Sequence, residues 1–384
     1  MVERVLQQVG GLDPVEGSDV VLPGSEQVAP LFWGLVVVLA LVAVVIAWVV
    51  RRRRSARGAQ QRRPWAMGAF GVVALVAALL VVLTLPPKFT TPEFPELGRI
   101  LPEEAFFYRS TEDLPVAADS DRWIDVLADQ PLVAAFGDEP SSGIVWGVPF
   151  NPVGAATPRK QVDILLWTRS SYQGEYPIAD PAYIESMPTY GFDNHYVAID
   201  LEERRMWELQ GTRVWFGRWQ ADSGAVWDLD DLRFPDNSTT ASRLPLLPGV
   251  LTWHEVEAGE VTHVLHAGTP ISSSEDFTWP ARATDGRFDR PDAPPMGAWL
   301  RLRADADLSQ LGPQARVIAE GLQRYGMVLS DTAGNFGIRG TPDARFDRSD
   351  LRTLRTLSGA DFEVVDPSGI VVDPGSMEVR PPAP

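Results

Sequence analysis

The sequence predicts a mainly β domain, a β-sandwich or jelly roll with a small C-terminal α+β segment, behind an N-terminal two-helix transmembrane hairpin. Three observations predict it. Two charge-free apolar runs, 29–50 and 65–85, flank a block rich in arginine. After them, short apolar runs alternate with Pro, Gly and Asp turn signals instead of long helical stretches. Near the C-terminus the apolar period changes from two to that of a helix.

The first apolar run has 22 residues and the second 21, each long enough as a helix to cross about 30 Å of hydrocarbon. Between them, 51–64 carries seven arginines and no acid. Short basic loops stay cytoplasmic, so both ends of the hairpin are expected outside the cytoplasm. The opposite topology would move all seven arginines across the membrane. Residues 1–28 hold five acids and the single base Arg4, which suits a retained anchor better than a cleavable signal peptide. Neither span contains an ionisable residue, which argues against an ion or proton pathway. Small residues of the second span, from Gly68 to Ala78, can pack against the first. Pro86 and Pro87 end the helix, and Pro92, Pro95 and Pro102 make 86–102 a stiff linker.

The main domain is expected over 103–366. Ser120 is placed to cap a short helix carrying Trp123, Ile124 and Leu127. Strand-like runs follow at 143–150, 162–167, 196–199, 206–209, 212–216, 225–229, 261–265 and 299–302. The α+β end spans 313–366. There Ala315, Ile318, Leu322 and Tyr325 form one helical stripe between Pro313 and Gly326. Strands are expected at 327–329, 336–339 and 362–365, with a helix opened by Ser349 and closed by Gly359. Residues 367–384 read as a flexible tail.

Composition narrows the function. From residue 86 onward 26 basic residues stand against 46 acidic ones, a net charge of −20. Such a surface disfavours nucleic acid, whose binding depends on clustered Lys and Arg. No Walker A motif and no Gly-rich turn after a strand is present, so nucleotide binding has no motif. The absence of cysteine excludes disulfides, thiolate catalysis and Cys-based zinc sites.

A series of motifs runs through the domain: GVPFNPV at 147–153, YPIADPAYIES at 176–186, DNHYVAID at 193–200 and MWEL at 206–209. SGAVWDL at 223–229, LPLLPGVLTWHEVEAGEVTHVL at 244–265, WPAR at 279–282 and PPMGAWLRLRA at 294–304 continue it. QARVIAEGLQRYGMVLSD at 314–331, IRGTPDARFDRSDL at 338–351 and GADFEVVD at 359–366 close it. Over most of 104–366 the chain resembles a family of secreted bacterial and fungal proteins with β-rich domains. The resemblance implies a β-rich fold and secretion, and it implies no reaction. The chain departs from it in carrying an anchor where members have a signal peptide. It also has Asp193-Asn194-His195 where they have Asp-Arg-His.

Carboxylates beside these motifs are the candidate catalytic groups: Glu185, Asp193, Glu208 and Asp228, with His195 and His263 assisting. Two carboxylates across a cleft are what glycoside hydrolysis needs, one protonating the leaving oxygen and the other attacking or activating water. Trp207, Trp215, Trp219, Trp227, Trp253 and Trp279 lie in the same stretch. Of these Trp207, Trp227 and Trp279, with Arg282, are the expected substrate contacts, since an exposed indole stacks on a sugar ring. The competing reading makes the tryptophans core and the acids turn residues. His254 and His266 read as structural. His263 and His266 sit three apart, a poor chelating pair on a strand. Ser223 and Ser242 lack a nucleophile-elbow motif, and Arg316 reads as an ion-pairing residue. The loop with Asp228, Asp230, Asp231, Asp236 and Asn237 offers oxygen ligands to Ca²⁺ without EF-hand spacing, and no other cofactor is expected.

The expectation is a membrane-anchored extracytoplasmic protein that binds or hydrolyses a cell-envelope or environmental glycan. The alternative is a non-catalytic interaction or structural module at the cell surface. A sensor fits poorly, because the 14-residue cytoplasmic loop is too short for an output domain.

Overall fold

Strands in this chain form where apolar residues alternate or where both faces are covered, and the second case dominates: Tyr196–Asp200 is buried at every position. The structure, a computed structural model, describes residues 93–139, 144–185, 193–215 and 217–382. Both expected spans, the acidic tail 1–28 and the linker up to Pro92 lie outside the described residues. Among the described residues no helix is long and apolar enough to cross a membrane.

The protein is mainly β. Its first strands are β1 (Val133–Ala134), β2 (Gly137–Glu139), β3 (Ile144–Trp146), β4 (Phe150–Pro152), β5 (Arg159–Gln161), β6 (Asp163–Ile164) and β7 (Glu175–Pro177). A second group contains β8 (Tyr196–Asp200), β9 (Arg205–Gln210), β10 (Arg213–Trp215), β11 (Arg218–Ala221) and β12 (Ser223–Asp228). The last are β13 (Leu265–Thr269), β14 (Trp299–Leu302), β15 (Met327–Thr332), β16 (Gly337–Ile338) and β17 (Phe362–Val365). Four short α-helices accompany them among the described residues: α1 (Ser120–Asp125), α2 (Trp253–Ala258), α3 (Pro313–Arg324) and α4 (Arg348–Leu351).

Two sheets organise these strands: one of six in the order β1-β16-β13-β15-β14-β17, and one of four in the order β12-β9-β8-β4. Period-two alternation decides what lies between them. Val197 and Ile199 of β8, Met206 of β9, and Ala225 and Trp227 of β12 point into one apolar layer. Val328, Val365 and Trp299 of the six-stranded sheet enter that same layer. The opposite face of the six-stranded sheet carries Leu265, Leu300, Met327 and Leu329, covered by Ala315, Ile318 and Leu322 of α3. The opposite face of the four-stranded sheet carries Tyr196, Trp207 and Leu209 beneath Trp219 and Tyr176 of the smaller strands. Pairing is mixed, with parallel pairs at β1/β16, β4/β8, β6/β11 and β13/β15, whereas a jelly roll is antiparallel.

Several local expectations need correction. Ser120 does not cap α1. Its hydroxyl accepts a hydrogen bond from the Val364 N–H at 2.9 Å, so the side chain serves a tertiary contact. Asp347, not Ser349, caps α4, its carboxylate accepting from the Ser349 and Asp350 N–H groups. The strand expected over 143–150 is broken at Gly147, whose φ of +122° no L side chain readily adopts. A Cβ there would also meet the Gly340 carbonyl oxygen at 2.6 Å. WHEV at 253–256 is helical, opening α2 with a capping box between Thr252 and Glu255.

The described part of the linker, 93–102, is not a spacer: Phe94, Ile100 and Leu101 are buried in the layer between the two sheets. Nor is 367–382 a loose tail. Met377 and Val379 are buried in the same layer, and the Val379 N–H donates to the Glu104 carbonyl at 2.9 Å. The 313–366 segment is no appendage either, because β15 lies inside the six-stranded sheet between β13 and β14.

Candidate functional site

At one end of the inter-sheet layer the apolar pattern gives way to polar residues. Antiparallel register aligns Tyr196, Leu209 and Gly224 across β8, β9 and β12, and Gln210 with Ser223 in the next row. His195 precedes β8 on the same face as Val197, so His195, Gln210 and Ser223 make one cross-strand row. All three line a cavity of about 300 Å³. One row deeper on that face lies Glu208, fully buried.

His195 is 3% exposed, and its Nδ1–H donates to Glu185 Oε2 at 2.5 Å. Glu185 also accepts the His195 backbone N–H at 3.4 Å. Burial works against a charged imidazole, but the Glu185 carboxylate, helped by Asp193, holds the His195 pKa above its ordinary value. Asp193 is exposed and lines the cavity. Glu208 has no route to the cavity. Its Oε2 accepts from Thr239 Oγ1 at 2.5 Å and its Oε1 from the Leu246 N–H at 2.7 Å. Burial pushes its pKa up against those two hydrogen bonds. It therefore acts by anchoring the 239–246 stretch, whose first residues roof the cavity.

The far wall comes from residues that sequence reasoning missed. Asp331 lies on β15, where alternation with Met327 and Leu329 would send it to the helical face. Consecutive Ala267 and Gly268 of β13 pair with Leu329 and Asp331, so Ser330 is an extra residue on β15; this bulge shifts the register, and Asp331 lines the cavity. It ion-pairs with Arg339, and its side chain is 22% exposed. Burial, with Asp285 and Asp193 nearby, pushes Asp331 up to about 7 against the pull of Arg339. Asp285 accepts hydrogen bonds from Thr332 N–H at 3.2 Å and Thr332 Oγ1 at 2.6 Å. Trp167, 44% exposed, stands at the rim. A tryptophan closing the strand-like run 162–167 was the one available sequence signal, and its neighbours gave nothing to single it out.

Of the residues expected to act, Glu185, Asp193, His195 and Glu208 thus gather around this cavity. The others lie elsewhere. Asp228 is exposed at the last position of β12, accepting the Asp230 N–H at 3.0 Å. His263 lines a different cavity, of about 260 Å³, and pairs with Glu255. Trp207 is 1% exposed and packs in the layer below the four-stranded sheet, so it offers no face to a ligand. Trp227 is buried in the inter-sheet layer. Trp279 packs against that layer with its Nε1–H donating to the Ser376 carbonyl at 3.0 Å. Arg282 donates to the Pro235 carbonyl at 2.9 Å and lies over the Phe234 ring. Each is engaged in packing.

The expected Ca²⁺ loop spends its oxygens internally. Asp230 pairs with Arg204, Asp231 with Arg233, and Asn237 Oδ1 accepts the Val226 N–H at 2.8 Å. Among the described residues no group of three or more His, Asp or Glu is arranged to hold a metal ion. His266 is buried, donates from Nε2 to the Pro245 carbonyl at 2.9 Å, and is pushed down to about 3 by that burial. It is a neutral core residue. Set beside family models, curated proteins and solved structures, the chain matches none.

Proposed function

We propose that this chain is a membrane-anchored glycan hydrolase whose active site is the cavity at the sheet ends. The observation that carries the reading is the cavity's make-up: Asp193, Asp285 and Asp331 around His195, with an exposed indole, Trp167, at the rim. Asp331 suits the general acid, because a carboxyl raised to about 7 keeps about half its population protonated at neutral pH, even beside Arg339. It would protonate the glycosidic oxygen as the bond to the anomeric carbon breaks. Water would add to that carbon while the Asp193 carboxylate takes the water's proton, which balances the step. Trp167 supplies the stacking face. Glu185 orients His195, and Glu208 holds the roof.

The two apolar runs at 29–50 and 65–85 would anchor the chain, with the arginine block 51–64 cytoplasmic and residues 86–384 outside. The resemblance to secreted β-rich proteins agrees with that side of the membrane. A second reading, a non-catalytic surface module, draws on Leu165, Leu166 and Trp167, consecutive residues that are all more than 40% exposed.

The test is full-length protein in detergent micelles, incubated with a panel of envelope and plant polysaccharides and assayed for new reducing ends. Asp331→Asn and Asp193→Asn are run beside it, with circular dichroism to confirm folding. Release by the parent chain that both folded variants lose supports the hydrolase. Retention on a polymer without release supports the binding module, and neither release nor retention sinks the glycan reading.

A further inference from the structure

The cavity also holds a cation with nothing to do. Arg243 lines it together with Asp193, Asp285 and Asp331. Other half-buried arginines are committed, among them Arg339 to Asp331, Arg301 to Glu363, Arg345 to Asp343, Arg213 to Asp222, Arg204 to Asp230 and Arg316 to the Leu308 carbonyl. Among the described residues Arg243 is the one half-buried arginine whose side chain has no hydrogen bond, ion pair or ring contact. It forms no ion pair even with the three aspartates lining the same cavity.

Its backbone is unusual too. Arg243 has a φ of +62°, a left-handed conformation that a long side chain rarely adopts. The conformation persists because its surroundings hold it from both sides. The Arg243 N–H donates to the Thr240 carbonyl at 3.1 Å, and the Ser242 N–H to the Ser330 carbonyl of β15 at 3.1 Å. Thr240 Oγ1 donates to the Leu244 carbonyl at 2.8 Å. Residues held in such sparsely populated backbone conformations cluster at active sites and ligand clamps.

We infer that Arg243 receives a carboxylate of the substrate, so that the glycan cut in this cavity contains uronic acid residues. The inference rests on the reading of the cavity as a glycan site. A planar guanidinium fork matches a carboxylate in bidentate fashion, whereas a neutral sugar gives it only hydroxyls. The aspartates repel an anionic ring everywhere else, so a single cationic point in the wall also fixes the ring's direction.

Titration calorimetry on the full-length protein in detergent tests this. The probes are tetramers of galacturonate, glucuronate and mannuronate, each beside its carboxyl-reduced neutral counterpart. The parent chain is expected to bind at least one uronide 10-fold or more tighter than its reduced partner. Arg243→Gln should remove that preference while binding the reduced tetramer as before, and Arg243→Lys should keep part of it. Arg243→Gly, which relieves the left-handed strain, should raise the melting temperature and still lose the preference. Binding of neutral tetramers as tight as uronides, or a preference that survives in Arg243→Gln, overturns the inference and leaves the glycan site standing. Binding of no tetramer, charged or neutral, overturns the glycan reading and this inference with it.

Discussion

Two buried histidine–glutamate pairs sit in this domain, and they differ in what their second nitrogen does. His263 is satisfied on both sides: Nδ1–H donates to the Val264 carbonyl at 2.9 Å, and Nε2–H to Glu255 at 3.1 Å. Both partners only accept, so the ring carries both protons. Glu255 is equally occupied, closing the capping box of α2 through the Thr252 N–H and hydroxyl. His195 is satisfied on one side, by Glu185. Its Nε2 has no protein partner among the described residues, and the ring lines the cavity that Asp193 and Asp331 share. The same two residue types therefore make a strut in one place and a cavity-lining group with one open nitrogen in the other. Completeness of hydrogen bonding separates them, not burial.

The sharpest way to break that comparison is at the carboxylates. Asp331→Asn should lower glycan cleavage by about 10²- to 10⁴-fold, as loss of a general acid does. Glu255→Gln should leave turnover within about twofold, taking the spread of the parent assay as the limit. A Glu255→Gln variant that folds but no longer cleaves would show that the second pair is not a strut.

Stability should respond the other way. His263→Leu leaves Glu255 buried beside an apolar group and should cost about 3–5 kcal/mol in urea unfolding. Trp207→Ala, which empties a packed site below the four-stranded sheet, should cost a similar ~3–5 kcal/mol. Trp167→Ala should leave unfolding unchanged and weaken glycan binding by about 0.5–1.5 kcal/mol.

The pH dependences sharpen the contrast further. Despite burial, the Glu255 carboxylate holds the His263 pKa above 6.5, so its contribution is complete below 6.5 and is lost as pH rises through the raised folded value. Despite burial, His263 holds Glu255 below 4.5, so its contribution is complete above 4.5 and is lost as pH falls through the lowered folded value. The pair stabilises most between 4.5 and 6.5, and a melting-temperature profile should lose that maximum in His263→Leu. The cavity predicts a rate effect instead: cleavage should decline as pH rises past about 7, where Asp331 gives up its proton. A flat rate across that range would remove Asp331 as the acid.

The smallest effect expected is at Asp228. Asp228→Asn, at the exposed end of β12, should change unfolding by less than about 0.5 kcal/mol and leave cleavage intact.

Some of this was legible from local pattern. The alternation in DNHYVAID and MWEL placed β8 and β9, and it marked Asp193, His195 and Glu208 as residues beside or within them. The stripe from Ala315 to Leu322 predicted α3, and its apolar face is the one buried against the six-stranded sheet. Helix α2 was also readable in principle: Thr252 and Glu255 at Ncap and N3 are a capping-box spacing. The tryptophans were not legible. An indole is as suited to a core as to a sugar, and Trp207 and Trp227 went to cores while Trp167 stayed at a rim.

What the sequence determined by itself is what depends on near neighbours: charge-free runs of membrane-spanning length, strand periodicity, one amphipathic helix and an acidic surface. Only the tertiary structure decided the site. Glu185 reaches His195 from ten positions away, across a stretch with no periodic pattern of its own. Asp331 lines the cavity where a bulge shifts one strand against another, which strict alternation predicts wrongly. Arg243 has no side-chain partner among the described residues, while Asp331 is engaged by Arg339 and Asp285 by Thr332. Each of these depends on register between strands far apart in the chain, and register is fixed by packing of the two sheets rather than by any residue's immediate neighbours.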